Sequence, residues 1–223
     1  PLIAGIFSIV WLRKHYTGLF KLPPMGEIIN SYKEGWSIFV SSLAVNLYTA
    51  TNVVVLGMLT NNVIVGYYSA ADKLITCVRR GIYAVSDAIY PFISKMMRDD
   101  IPKGLQFIKK QLFLYLIVGL VGCTSLFFFS DTIVRLLFGA DYDLTVDVLQ
   151  ILSFVPLAVA ISTVLGEETM LPLNMNSAYS RTLVLGAFFS LISIFPLCYL
   201  WGAKGVAITM LLTEFLIMSI MGG

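Results

Sequence analysis

The chain has 223 residues, 58% of them hydrophobic and 13% charged, with a mean hydropathy of +0.86 and a formal net charge of +2. A soluble domain carries about 25% charged residues, so the composition excludes an ordinary soluble protein and indicates an integral membrane protein. The formal net charge says little by itself, the placement of the charges says more than their sum, and no nucleic-acid partner is expected.

The first apolar run, residues 2–12, is shorter than the ~20 residues a span needs, and reads as the stub of a helix closed by Arg13 and Lys14. The opening at Pro1 inside an apolar run, and the close on Met221-Gly222-Gly223 after another, read as a piece of a longer membrane protein. Residues 13–34 hold Lys21, Glu27, Lys33, Glu34 and the Pro23-Pro24 break, which predicts a linker loop with a short interfacial helix at 25–32. Residues 35–223 are then expected to form a lobe of six transmembrane helices.

From Gly35 to Ala71 there is no charged residue, and Thr60-Asn61-Asn62 supplies the turn between two spans. In the first, Ser42, Asn46 and Thr49 share a helical face, with Asn52 one turn on. Such a stripe either bonds to neighbouring helices or lines a wet path, and Ser and Thr can also bond back to their own helix.

The second span, 66–97, carries Lys73, Arg79, Arg80 and Asp87 in an apolar setting. Positions 73, 80 and 87 recur on nearly one face, with Tyr83 between the last two, while Leu74, Val78, Ile82, Val85 and Ile89 make an aliphatic side. A charge near the bilayer centre costs roughly 2.5 to 3.5 kcal/mol, so several in one span require a cavity or partners. Arg79 and Arg80 have two readings: an anion site, since guanidinium forks match phosphate oxygens, or pairing with a carboxylate of a neighbouring helix such as Glu214. Two bases against one acid favour an anionic cargo.

Further along, 95–110 reads as a polar loop, 111–130 as a span, 131–147 as an acidic loop, and 148–166 as a span containing Pro156. Residues 167–181 read as a loop, 182–200 and 206–221 as two spans joined by a tight turn at 201–205, with Glu214 deep in the last. Glu214 is the candidate for proton coupling, because Arg80 lies near Asp87. Loops on the Arg13 side hold ten Lys and Arg against two, Arg135 and Lys204, on the other, which puts the Arg13 side in the cytoplasm. Cys77, Cys123 and Cys198 stand singly and suggest spectator thiols, with neither metal nor cofactor. His15, the one histidine, reads as a solvated loop residue. Asp141-Tyr142-Asp143 has the spacing of a metal and nucleotide-sugar motif but falls on the outer side, and no nucleophile or zinc motif occurs.

The segment VVVLGMLTNNVIVGYYSAADKL after Thr51-Asn52, and later LLFGADY, resemble the O-antigen and polysaccharide flippases of the multidrug/oligosaccharidyl-lipid/polysaccharide exporter superfamily. The resemblance implies two related six-helix lobes, of which 35–223 is the second and 1–12 the end of the first. It implies a multi-pass protein of the bacterial inner membrane that is not an enzyme and moves oligosaccharide on undecaprenyl pyrophosphate to the periplasmic leaflet by alternating access. The missing lobe, membrane lipids, a polysaccharide polymerase and a chain-length regulator are the partners it implies. The alternatives are a cation-coupled drug exporter of the superfamily and a membrane polymerase or glycosyltransferase. Helical phase alone assigns the substrate site to Lys73, Arg79, Arg80, Tyr83, Asp87, Asn46 and Thr49.

Overall fold

The computed structural model describes residues 24–223, and its contacts divide the chain into two compact units, 1–36 and 37–223. The expected helix stub at 1–12, His15 and the first part of the linker, 13–23, lie outside the described residues. What is described of the first unit is helical from Met25, with Met25, Ile28, Ile29 and Tyr32 exposed. The short helix expected at 25–32 is thus the start of α1 (Met25–Leu59).

The second unit continues with α2 (Asn62–Asp99), α3 (Ile101–Phe138), α4 (Asp143–Leu152), α5 (Val155–Leu165), a π-helical turn (Gly166–Met170) and α6 (Asn176–Gly222). Among the described residues there is no strand, and the all-α polytopic bundle expected from the sequence is borne out. Four segments are long and apolar enough to cross a membrane: Ile38–Leu59, Ile101–Phe138, Asp143–Met170 and Asn176–Gly222. Helix α2 is as long as α3 but carries its charges along its length.

The turns are set by local chemistry. Asn61 caps α2, its Oδ1 accepting from the backbone N–H groups of Val63 and Ile64 at 3.1 and 3.0 Å. Asp100 alone separates α2 from α3, and its side chain accepts from the Lys103 N–H at 3.2 Å. The polar stretch at 95–110 is therefore mostly helix, because each α-helix here extends past the apolar length that marks it in sequence. The acidic loop expected at 131–147 likewise shrinks to 139–142, with Gly139 at φ 100 ending α3. There Arg135 binds Asp131 at 2.7 Å and Asp143 at 3.0 Å, which occupies one carboxylate of the Asp141-Tyr142-Asp143 motif.

Helix α6 is a hairpin, with its reversal at Gly202 (φ 55, ψ −129), inside the tight turn expected at 201–205. A Cβ built on Gly205 would collide with the Leu197 carbonyl, and one on Gly186 with the Ile217 side chain, so 176–201 and 203–222 run antiparallel in close contact. Gly205→Ala forces backbone apart and is expected to cost at least the ~1–3 kcal/mol of overpacking, read as a lowered unfolding temperature in detergent.

The largest core cluster includes Leu56, Tyr68, Ile75, Val134, Leu149, Leu152, Ile194, Val206 and Met210, all buried. These positions lie toward the helix ends that meet at 60–61, 139–142 and 202. Smaller clusters join α1 to α6 through Tyr48, Leu183 and Ile217, and α2 to α3 through Ile93, Met97 and Ile108. Cys123 and Cys198 are buried, Cys77 is exposed, and all three are free thiols.

Candidate functional site

Helices α1, α2 and α6, with the π-turn and the residue after it, surround a cavity of about 760 Å³. Helix α2 contributes most of the wall. With Tyr83 as the reference direction and about 100° per residue, Asp72, Thr76, Arg79, Ser86, Asp87 and Tyr90 all fall within about 60° of it, as does Arg80 at the edge. Every one of them lines the cavity. Lys73 falls about 80° away, because a heptad spacing drifts about 20° per repeat from the helix period. It lines a separate pocket of about 420 Å³ with Tyr67, Phe138 and Tyr142, so the expected grouping of Lys73 with the other charges is not found.

Helix α1 supplies the polar stripe of Ser42, Asn46, Thr49 and Asn52. The stripe lines the cavity and bonds back to its own helix. Asn46 donates to the Ser42 carbonyl and Thr49 to the Val45 carbonyl, each at 2.8 Å, while both side chains face the cavity. The Thr49 hydrogen and one of the two Asn46 amide hydrogens are used, which leaves the second amide hydrogen as a donor and both side-chain oxygens as acceptors. Asn52 is 1% exposed and its Oδ1 has no hydrogen-bond partner, which leaves a buried acceptor at the cavity wall.

The two arginines differ. Arg79 is buried, with Nη2 3.7 Å from Glu214 Oε1, and the Tyr48 hydroxyl donates to that same oxygen at 2.9 Å. This ties α1, α2 and the second half of α6 together, and it is the pairing that the bland reading of Arg79 anticipates. Glu214, 3% exposed, sits behind the cavity wall and lines a small void of about 50 Å³ rather than the cavity itself. Arg80 is exposed and makes no ion pair among the described residues. Asp87, too, has no ion pair among them.

Several lining residues escape the sequence reading, Asp72, Glu167 and Tyr179 among them. Asp72 lies about 20° from the Tyr83 direction, closer to the centre of the face than any of the bases. Glu167 and Tyr179 come from what reads as a loop, 167–181, but is a π-turn followed by the start of α6, the Tyr179 hydroxyl donating to Glu167 at 3.3 Å. The wall therefore holds three carboxylates and two guanidinium groups, where the sequence shows two bases against one acid. A signal was available for Asp72, one residue from Lys73 in the same helical phase argument. None was available for Glu167, which a different element brings in.

At the turn end of the bundle, the cavity is floored by Tyr68 and Met210, each 1% exposed and joined by the Tyr68 hydroxyl at 3.9 Å from the Met210 sulfur. At the other end, Ile38, Tyr90, Leu171 and Tyr179 mark its rim. Cationic, hydroxyl and amide groups in one pocket suit a ligand that combines an anionic group with a polar, hydroxylated body.

Residues 1–97 match a family described as polysaccharide biosynthesis proteins. Over 98% of its length the chain is 31% identical to a protein of Shigella dysenteriae named "Putative O-antigen transporter", covering 54% of that protein. It is likewise 31% identical, over 99% of its length, to one of the same name from Escherichia coli K12, covering 53% of it. The chain spans about half the length of these curated relatives. No solved structure matches. The similarity to O-antigen and polysaccharide flippases expected from the motifs thus extends over nearly the whole chain, and with the apolar helices it makes this a multi-pass protein of the bacterial inner membrane.

Proposed function

We propose that this chain, similar to O-antigen transporters along its length, forms half of a flippase for lipid-linked oligosaccharide. The cargo in this reading is an oligosaccharide on undecaprenyl pyrophosphate, moved from the cytoplasmic to the periplasmic leaflet without covalent chemistry. The observation that carries it is the cavity wall, where Arg80 offers an unpaired guanidinium and Asn46, Thr49, Asn52, Tyr83 and Tyr90 offer hydroxyl and amide groups. A pyrophosphate calls for the first and a glycan for the second. Lys73 has no part in that site.

In this reading the excess of Lys and Arg puts the 100 and 171–175 ends of the helices on the cytoplasmic side. The core at the opposite ends then closes the cavity toward the periplasm, an arrangement that suits loading from inside. A second six-helix lobe is the opposing wall in this reading, and rocking of one lobe against the other alternates the access. In a strain lacking its O-antigen transporter, residues 1–223 alone are expected to give no surface polysaccharide, and a second lobe supplied as a separate chain to give some. Export by residues 1–223 alone would overturn the two-lobe reading.

A cation-coupled exporter is the second reading, and the majority of carboxylates over guanidinium groups in the wall favours it. Restored drug resistance without restored polysaccharide in the same strain selects it. A polymerase or glycosyltransferase is disfavoured by the short 139–142 loop and by Arg135 holding Asp143.

A further inference from the structure

Glu168, on the π-turn, is fully buried. The Ser86 hydroxyl donates to its Oε1 and the Gln111 amide contacts its Oε2, both at 2.6 Å. No arginine or lysine pairs with it among the described residues, in contrast to Glu214. The titratable groups nearest to it are themselves acids or phenols: Glu167 on its own turn and Tyr115 on α3, with Asp87 of α2 and Tyr179 of α6 beside Glu167, while α5 has no titratable residue. Lys109, Lys110 and Arg181, the cations closest along α3 and α6, are exposed.

Two buried atoms beside this carboxylate have no partner: Gln111 Oε1 and the Tyr115 hydroxyl. With Glu168 ionised, its charge is held by two neutral donors, Ser86 and Gln111, and by no cation among the described residues. Turning the Gln111 amide over keeps its shape and places its oxygen against Glu168 Oε2. That contact requires a proton between the two oxygens. Ser86 to Glu168 and Glu168 to Gln111 then form one chain of donors and acceptors with no buried charge left unpaired.

We propose that Glu168 is a proton-binding site, loaded with a proton in this conformation and connected to the cavity through Ser86. Ser86 and Glu167 both line the cavity, so a proton released from Glu168 has a polar exit one residue away. A five-residue π-turn is held by fewer regular bonds than an α-helix, and such turns recur at functional positions. Movement of this turn away from α2 and α3 would break both hydrogen bonds, expose the carboxyl to water and discharge the proton. Resting on the transport reading, this makes Glu168 the group that couples the proton gradient to the cycle, in place of Glu214, whose charge Arg79 and Tyr48 already hold.

Infrared spectra of the full polypeptide in detergent at neutral pH are expected to contain a protonated-carboxyl C=O stretch that is lost in Glu168→Gln and kept in Glu214→Gln. Ser86→Ala and Gln111→Leu, which remove one hydrogen bond each, are expected to shift that band, and serve where Glu168→Gln does not fold. A spectrum that none of these variants changes would overturn the proposal. In cells that also supply the second lobe, Glu168→Gln is expected to lose the dependence of polysaccharide export on the proton gradient, and export that keeps it would overturn the coupling role. A wild-type chain that shows the band but exports no polysaccharide even with the second lobe supplied would instead overturn the flippase reading and leave the proton site standing.

Discussion

Arg79→Gln is expected to destabilise the protein by about 3–5 kcal/mol, because it leaves the Glu214 carboxylate buried without its cation. Glu214 is 3% exposed and keeps only the Tyr48 hydroxyl once the guanidinium is gone. A single hydrogen bond of that kind offsets about 1.5–3 kcal/mol and does not replace the pair. The effect is expected in accumulation and unfolding temperature before it is seen in export. The double variant Arg79→Gln with Glu214→Gln removes both charges and is expected to recover much of the loss, since a neutral amide pair in the same space has less to desolvate. Unfolding temperatures of the single variant and the wild type that coincide would show that the pair is not structural, and would return Arg79 to the cargo. This coupling also means that loss of export in Arg79→Gln by itself says nothing about pyrophosphate.

The helical architecture was legible because its signal is strong and local. A charge-free run from 35 to 71 with Thr60-Asn61-Asn62 in its middle admits only a turn, and Asn61 is found capping α2. Gly202 and Gly205 in five residues between apolar runs leave only a tight reversal, and both are required there. The pairing of Arg79 with Glu214 was legible as one of two alternatives, because a buried base seeks an acid and few acids lie deep in a span.

The cavity's composition was less legible, for two physical reasons. A seven-residue spacing is not the helix period, so Lys73 drifts off the face that Arg80 and Asp87 share, while Asp72 takes its place. The pair Glu167-Glu168 reads as solvated loop, yet the π-turn turns one carboxylate to the cavity and the other into the protein. Its partners Ser86 and Gln111 lie 82 and 57 residues away in the chain. No periodicity in one segment encodes such a meeting.

Arg80→Gln is expected to abolish surface polysaccharide while leaving the protein folded. Arg80 is exposed at the edge of the cavity face and makes no ion pair among the described residues, so its removal orphans nothing. Surface substitutions of this kind usually change stability by no more than about 0.5 kcal/mol, which an unfolding curve in detergent checks. Arg80→Lys is expected to retain an intermediate level of polysaccharide, because a point charge remains while the two-pronged geometry that fits phosphate oxygens is lost. The contrast with Arg79 is the test: two adjacent arginines on one helix, one failing through stability and the other through transport. A double variant Arg80→Gln with Asp87→Asn adds a further arm. If Asp87 serves only to offset Arg80 in the cavity, its removal does not rescue export, because the cargo still meets no cation at that edge. Normal polysaccharide in Arg80→Gln would sink the anion site, and would shift the weight to the carboxylates of the wall and the cation-coupled reading.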